Sequence, residues 1–505
     1  MNGLPTDKFS FENGVFVTKG LRWALNIDPQ TQANNWIKKM CGDALVIADY
    51  KDANYIRKIE SGIVLGKQVL FQDVEQELDP MLDNVLNKSI IMIGKRAVIK
   101  LGGNDIEYHK NFKLYITTRM SNPHYTPEVS TKVVLVNFTV KESGLEEQCL
   151  GIVVKSEQPT IEQKKNQEVM NIASNKKILV DLEDKILRLL SESKGNLLED
   201  VTLNETLKVS KKTSEKVKND LEAAEQTMKR IDETRETYRI CGRVASILFF
   251  VLNDLNKIDP MYQFSLDWYK ELFQTSIEES RSNNYGDRIK NIIKTHQLKV
   301  YKQVCRSLFE KHKLLLSLQM CVKLKMSEGE INEDEWTFFL RGGLVMDRST
   351  QPVKPPFDWI TTTAWDNITE LEKMLPSTFA GIANAVTLNP KEWQRWFLST
   401  RPEPENAQFP GEWETKCEDK LKKMIVVRCL RPDRVIFSIR NFVEHFMKKE
   451  FIENKPTNLE EVVNESRPET PIIFVLSPGV DPTDQLKKLA EKLGQQIESI
   501  SLGRG

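Results

Sequence analysis

Two stretches of this chain have the residue order of a phosphate-binding loop, and both lack its chemistry. In the first, the apolar run Leu21 to Ile27 is followed by Asp28-Pro29-Gln30-Thr31-Gln32-Ala33-Asn34-Asn35 and then by the amphipathic run Trp36 to Met40. In the second, Pro471 to Leu476 precedes a loop from Ser477 to Asp484 and a run from Gln485 to Ala490. In working loops of this order, backbone N–H groups and a helix N-terminus cradle phosphate, a lysine neutralises it and the next hydroxyl helps hold magnesium. Laid on GxxxxGK[ST], Asp28 and Ala33 stand where glycines belong, and Asn34 replaces the lysine. In the second loop Ser477 and Pro482 replace the glycines and Thr483 replaces the lysine. Asp28 or Asp481 would repel phosphate. A third candidate is Val69-Leu70-Phe71 followed by Gln72-Asp73, where a magnesium-binding strand would end in Asp-Glu. Gln72 lacks the charge the metal needs, and Asp73 is shorter than glutamate. The bland reading is an ordinary α/β turn in each loop and a strand ending in solvated acids (Asp73, Glu75, Glu77, Asp79). It predicts no productive nucleotide site, no catalytic residue and no metal ligand.

No other constellation competes. His109 and His124 lack metal-ligand spacing, and His124 reads as a loop or packing residue. Trp359, Trp365, Trp393, Trp396 and Trp413 read as core and interface anchors. The seven cysteines form no CxxC pair, which argues for reduced thiols in an intracellular compartment and against structural zinc. Lys plus Arg equals Asp plus Glu at 72 each, so charge gives no support for nucleic-acid or membrane-surface binding. The longest apolar run, Val244 to Leu252, is too short to span a bilayer.

The elements that must position these residues follow from pattern. Strands are predicted at Leu21 to Ile27, Ala44 to Ala48, Gln68 to Phe71, Arg96 to Leu101 and Lys113 to Thr117, with helices near Gln32 to Met40 and Asp52 to Leu65. This order predicts a mostly parallel sheet between helices. Residues 267–326 and much of 350–451 read as helical. A buried strand is expected again at 471–476, and the expectation is a chain cut inside a further domain. The fold class is therefore α/β plus α, divided as 1–155, 156–240, 241–350, 351–465 and 466–505.

The 156–240 segment carries heptads. Ile172, Leu179 and Ile186 repeat every seven residues, with Leu182 and Leu189 offset by three. Leu207, Ser210, Ser214, Val217, Leu221, Ala224, Met228, Ile231, Arg235 and Tyr238 alternate in steps of three and four. These are coiled-coil seams, and Ser193-Lys194-Gly195-Asn196 between them predicts an antiparallel hairpin arm. Asn175, Ser210 and Ser214 make its seam polar, and Thr213 is placed to cap a new helix start and allow a kink.

These residues resemble a known family. GLPTDKFSFENGVFVTKGLRWALNIDPQTQANNWIKKM and FKLYITTRMSNPHYTPEVSTKVVLVNFTV are similar to the fifth AAA+ module of dynein heavy chains. NKKILVDLEDKILRLLSESKGNLLEDVTL resembles the arm that springs from it, and IDPMYQFSL, FFLRGG, WDNITEL, PGEWE and PIIFVLSPGVDPT continue the likeness. The detail points to the axonemal inner-arm type.

The resemblance implies an AAA+ parallel-sheet module at 1–155, a buttress at 156–240 that props the stalk, a helical small subdomain at 241–350, a helical connector at 351–465 and the start of a sixth module at 466–505. It implies a ring in which ATP and magnesium work in other modules of the parent motor, and in which this portion relays force rather than hydrolysing ATP. Implied partners are the rest of the heavy chain, including the stalk and neighbouring modules, intermediate and light chains, and microtubules, with no nucleic acid and no membrane. The implied location is the cytoskeleton, in the axoneme of a cilium or flagellum. Two alternatives stay open. One is a nucleotide-hydrolysing fragment with Asp73 or Glu75 on magnesium and Asn34 in place of lysine. The other is a scaffold whose coiled coil dimerises.

Overall fold

The computed structural model describes residues 3–5, 7–192, 201–280, 285–342, 355–403, 408–453, 458–468, 470–476 and 478–500. The expected turn at Ser193 to Asn196, the side chains of Leu189 and Leu207, Ser477, and residues 501–505 lie outside them. The chain divides into two compact units, Met1–Val300 and Tyr301–Gly505.

The first unit begins with α1 (Lys8–Lys19), β1 (Ala24–Ile27), α2 (Gln32–Cys41), β2 (Leu45–Asp49), α3 (Tyr55–Leu65) and β3 (Gln68–Gln72). It continues with α4 (Asp83–Leu86), β4 (Ile91–Ile93), β5 (Arg96–Leu101), β6 (Asn104–Glu107), β7 (Lys113–Thr118), α5 (Pro127–Lys132) and β8 (Val134–Asn137). Five strands form a parallel sheet in the order β2-β3-β7-β1-β8. Both faces are covered, so the inner strands carry continuous buried runs such as Val69-Leu70-Phe71 and Leu114-Tyr115-Ile116 rather than alternating. On one face Leu25, Val69, Phe71 and Ile116 meet Ile59 and Ile63 of α3. On the other, Ala24, Leu70, Tyr115 and Val136 meet Ala33, Trp36 and Ile37 of α2. The Arg96 to Leu101 strand departs from expectation. It joins β4 and β6 in a separate antiparallel sheet of three strands, because short connections pair β4 with β5 and β5 with β6 as hairpins.

Among the described residues the helices that follow are α6 (Glu142–Glu157), α7 (Pro159–Glu192), α8 (Val201–Glu236), α9 (Arg239–Asp254), α10 (Leu266–Glu279) and α11 (Tyr285–Cys305), the last running to the end of this unit at Val300. Pro159 separates α6 from α7, since proline cannot donate the N–H that a continuous helix needs. Ion pairs between Glu162 and Arg235 at 3.3 Å and between Lys176 and Glu225 at 3.9 Å show that α7 and α8 pack antiparallel. The expected seam positions are the covered ones. Ser210, Val217, Ala224, Ile231, Arg235 and Tyr238 are buried, and Ile172, Asn175, Leu179, Leu182 and Ile186 are partly buried. Thr213 does not start a new helix. It lies inside α8, and its hydroxyl donates to the Val209 carbonyl at 2.9 Å, the back-bond available to an exposed mid-helix threonine.

The second unit is helical, with long elements at Glu310–Ser327, Thr362–Met374, Lys420–Leu430 and Val435–Met447. Trp365, Trp393, Trp396 and Trp413 are buried in it, and Trp393 and Trp396 meet edge to face at 6.0 Å. Residues 471–476 are not the buried strand expected from their composition. They pair with no strand among the described residues, and Ile473 is 81% exposed. A parallel strand is stable only between neighbours and under helices, and none surrounds it here.

Candidate functional site

The loop after β1 lies at the carboxyl end of the parallel sheet, where open α/β folds bind ligands. Thr31 takes a left-handed conformation (φ 58°) and turns the chain into α2. This turn aims the first amides of α2 back at Asp28, whose side chain is 1% exposed. One carboxylate oxygen accepts the Gln32 N–H at 2.8 Å, and the other accepts the Asn34 N–H at 2.9 Å. The amides that would cradle phosphate are therefore engaged by a side-chain anion. Burial pushes the Asp28 carboxyl up to about 6, against the pull of the Asn34, Ala33 and Gln32 amides and of Arg119. Asp28, expected from its charge to repel phosphate, is itself the acceptor of these two amides.

Ala33 packs in the sheet–helix core, fully buried. Asn34 stands where lysine would, and its amide lies 3.4 Å from the Gln72 side-chain oxygen and 3.5 Å from the Thr117 hydroxyl. Gln72 in turn donates to Asp49 at 3.0 Å, and this bond holds the Asp49 carboxyl below its ordinary value. Asp73 follows in a left-handed conformation (φ 59°) and pairs with the Arg119 guanidinium at 2.7 Å. The loop and strand-end residues are thus brought together at one corner of the sheet, tied to each other. Among the described residues, no three His, Cys, Asp or Glu side chains group as metal ligands. In the second loop, Pro482 precedes the helix Thr483–Leu493, and Asp481 accepts the N–H of Thr483 at 2.9 Å. Ser477 lies outside the described residues.

Gln148 on α6 links this corner to the helices. Its side chain accepts from Gln32 at 3.1 Å and from Lys270 of α10 at 2.8 Å, and donates to Asp7 at 3.0 Å. One residue thereby joins α2, α10 and the cap of α1.

A second polar centre lies at the root of the α7–α8 pair, and sequence reading missed most of it. Arg235 reaches Glu147 of α6 at 3.0 Å and Glu162 of α7 at 3.3 Å. Lys165 of α7 lies 3.6 Å from Glu147, and Arg239 of α9 pairs with Glu146 at 2.9 Å and Glu147 at 3.4 Å. Burial raises the Glu147 carboxyl, yet Arg235, Lys165 and Arg239 together hold it below its ordinary value. The available signal was Arg235 itself, a charge in an apolar register.

The family model described as "ATP-binding dynein motor region" matches residues 1–217, and that described as "Dynein heavy chain region D6 P-loop domain" matches residues 467–505. The chain is 49% identical over 509 residues to Dynein axonemal heavy chain 2 of Mus musculus, covering 100% of this chain and 11% of that relative. It is 49% identical over 510 residues to Dynein-1-beta heavy chain, flagellar inner arm I1 complex, of Chlamydomonas reinhardtii, with coverage of 100% and 11%. Identity to Dynein axonemal heavy chain 1 of Homo sapiens is 42% over 507 residues, covering 100% of this chain and 12% of that relative. The chain thus spans about a tenth of the length of the curated relatives it matches. With two dynein models matched and identity to axonemal heavy chains along the whole of its own length, this chain belongs to the dynein heavy chain family and is a dynein motor region.

Proposed function

We propose that this chain is the portion of an axonemal dynein heavy chain that forms the fifth AAA+ module, its coiled-coil buttress and the opening of the sixth module. Its role is structural. It relays force within an ATP-driven motor ring that moves along microtubules in the axoneme of a cilium or flagellum. The observation that carries this reading is the Asp28 carboxylate on the Gln32 and Asn34 amides. A loop whose donors already hold an anion has nothing left for the phosphates of ATP, so ATP and magnesium would act in other modules of the parent motor.

The α7–α8 pair supplies the mechanical part. Its 34- and 36-residue helices extend roughly 50 Å at about 1.5 Å per residue. Beyond its seam it exposes Val169, Met170, Val180, Leu187 and Val209, with Met170 67% exposed. These apolar side chains fit a further helix laid against the pair, the stalk in this reading. Neighbouring modules, intermediate and light chains and microtubules are then partners of the whole motor.

Calorimetric titration of the chain with ATP tests the reading. No binding is expected with or without magnesium, whereas micromolar, magnesium-dependent binding would overturn it in favour of a hydrolytic fragment. Sedimentation of the same chain separates the scaffold alternative, which requires a tight dimer.

A further inference from the structure

We infer that Glu147 and Arg235 form an ionic pivot that sets the angle at which the α7–α8 arm leaves the module. This inference rests on the mechanical reading of that helix pair.

Arg235 occupies a seam position, where an apolar side chain would fill the space between α7 and α8, yet its side chain is only 4% exposed. A buried ion pair roughly breaks even against a well-packed apolar replacement, so stability does not account for it. What such a pair does supply is geometric specificity, because its charges are satisfied in one arrangement only.

Arg235 has one carboxylate partner on its own helix, Asp232 at 3.8 Å, and two on other helices. Glu162 belongs to α7, so the Arg235–Glu162 pair ties the two arm helices together. Glu147 belongs to α6, so the Arg235–Glu147 pair ties the arm to the module. The guanidinium hydrogen-bonds Glu147 at 3.0 Å and holds Glu162 at ion-pair distance, 3.3 Å, and keeping both contacts fixes the angle of the arm. Lys165 approaches Glu147 from α7 as well, and Arg239 approaches it from α9. Four helices therefore converge on one carboxylate.

The platform under Glu147 is stiff. Gly242 of α9 lies so close to α6 that a Cβ there would sit 2.7 Å from the Glu146 carbonyl oxygen and 3.0 Å from the Leu150 nitrogen. Ser246 of α9 also donates to the Glu142 carbonyl at 2.7 Å. The arm side has a joint instead. Pro159 interrupts the α6–α7 path, and residues 237–238 form a turn between α8 and α9, with the Tyr238 N–H donating to the Arg235 carbonyl at 2.9 Å. A stiff base, two chain joints and one ionic contact across them make an elbow whose angle the ions define.

Pulsed electron–electron distance measurements on the chain test this directly. Spin labels are placed at Lys19→Cys on the module and Lys177→Cys on α7, with Cys41→Ser and Cys305→Ser removing the partly buried native thiols. A second label pair, Lys177→Cys with Glu222→Cys, reports the α7–α8 separation. Glu147→Gln should widen the module-to-arm distance distribution about two-fold while leaving the α7–α8 separation unchanged. Glu147→Met, which removes the carboxylate and leaves the Arg235–Glu162 contact in place, should do the same and covers the case in which Glu147→Gln does not fold. An unchanged module-to-arm distribution in the folded variants would overturn the pivot. So would an equal widening of the α7–α8 separation, since the ions would then hold the pair rather than its angle. The measurement needs no motor activity, so its outcome is independent of whether the chain relays force.

Discussion

The Asp28 carboxylate accepts the Asn34 amide at 2.9 Å, so the first position of the phosphate-loop pattern caps the position where lysine would stand. In this contact a side chain takes amide donors at the start of α2, and the contact has a measurable pH signature. Asp28 titrates at about 6 in the fold against an ordinary 3.8, so the folded chain holds this proton more tightly than the unfolded one. The stabilising contribution is therefore complete below about 3.8 and is lost as pH rises through about 6. Comparing wild type with Asp28→Asn by denaturant unfolding, wild type should lose up to about 3 kcal/mol relative to the variant between pH 4 and pH 7. A constant difference across that range would contradict the assignment.

His296 carries the opposite sign. It is buried between Tyr269, whose hydroxyl lies 2.7 Å from Nε2, and Ser276, whose hydroxyl lies 3.1 Å from Nδ1. Burial, with a smaller push from Lys299, lowers its value from 6.5 to about 3, so the ring is neutral in the fold. Its contribution is present above about 6.5 and is lost as pH falls toward 3, because only the unfolded chain takes up the proton. Acid should cost the first unit on the order of 4 kcal/mol through this group. In His296→Asn that part of the acid slope should disappear, as read by unfolding midpoints from pH 7 down to pH 4.

Ser210 and Ser214 lie on the α8 seam, buried and half-buried respectively. Leucine at both should stabilise the helix pair by about 1 kcal/mol each through added apolar burial. Hydrogen exchange of α7 and α8 amides would report the stiffening. In a full-length heavy chain, the same double substitution should uncouple microtubule binding from ATP turnover, and unchanged coupling would count against a relay.

Gly242 should tolerate no side chain. In Gly242→Ala the new methyl group would press on the Glu146 carbonyl and the Leu150 nitrogen, both backbone atoms that cannot swing aside. A loss of about 1–3 kcal/mol is expected in thermal or denaturant unfolding.

Much of the module could be read before the structure. The helix at Gln32 and the strands at Gln68 and Lys113 fell within a residue or two of prediction, because long apolar periods and buried β-branched runs carry their own signal. The three-four spacing on α8 likewise picked out Ser210, Val217, Ala224, Ile231, Arg235 and Tyr238, which are buried, since such a spacing needs no knowledge of the partner. The short strands Ile91–Ile93, Asn104–Glu107 and Val134–Asn137 escaped, each being at most four residues long and set by its neighbours. The strand expected at 471–476 shows the same dependence from the other side, as an apolar run with no ladder partner among the described residues.

By itself, the sequence determined that the lysine and glycines of the phosphate-loop pattern are absent, and it determined the apolar period of both long helices. Those depend only on residue identity and period along the chain. Only the tertiary structure decided what fills the empty places. Asp28 meets the α2 amides because Thr31 adopts a left-handed turn that aims them at it. Arg235 meets Glu147 across 88 residues of chain because four helices converge at one root. Contacts of that range leave no periodic trace in a single sequence, since their energy exists only once the packing has brought the charges together.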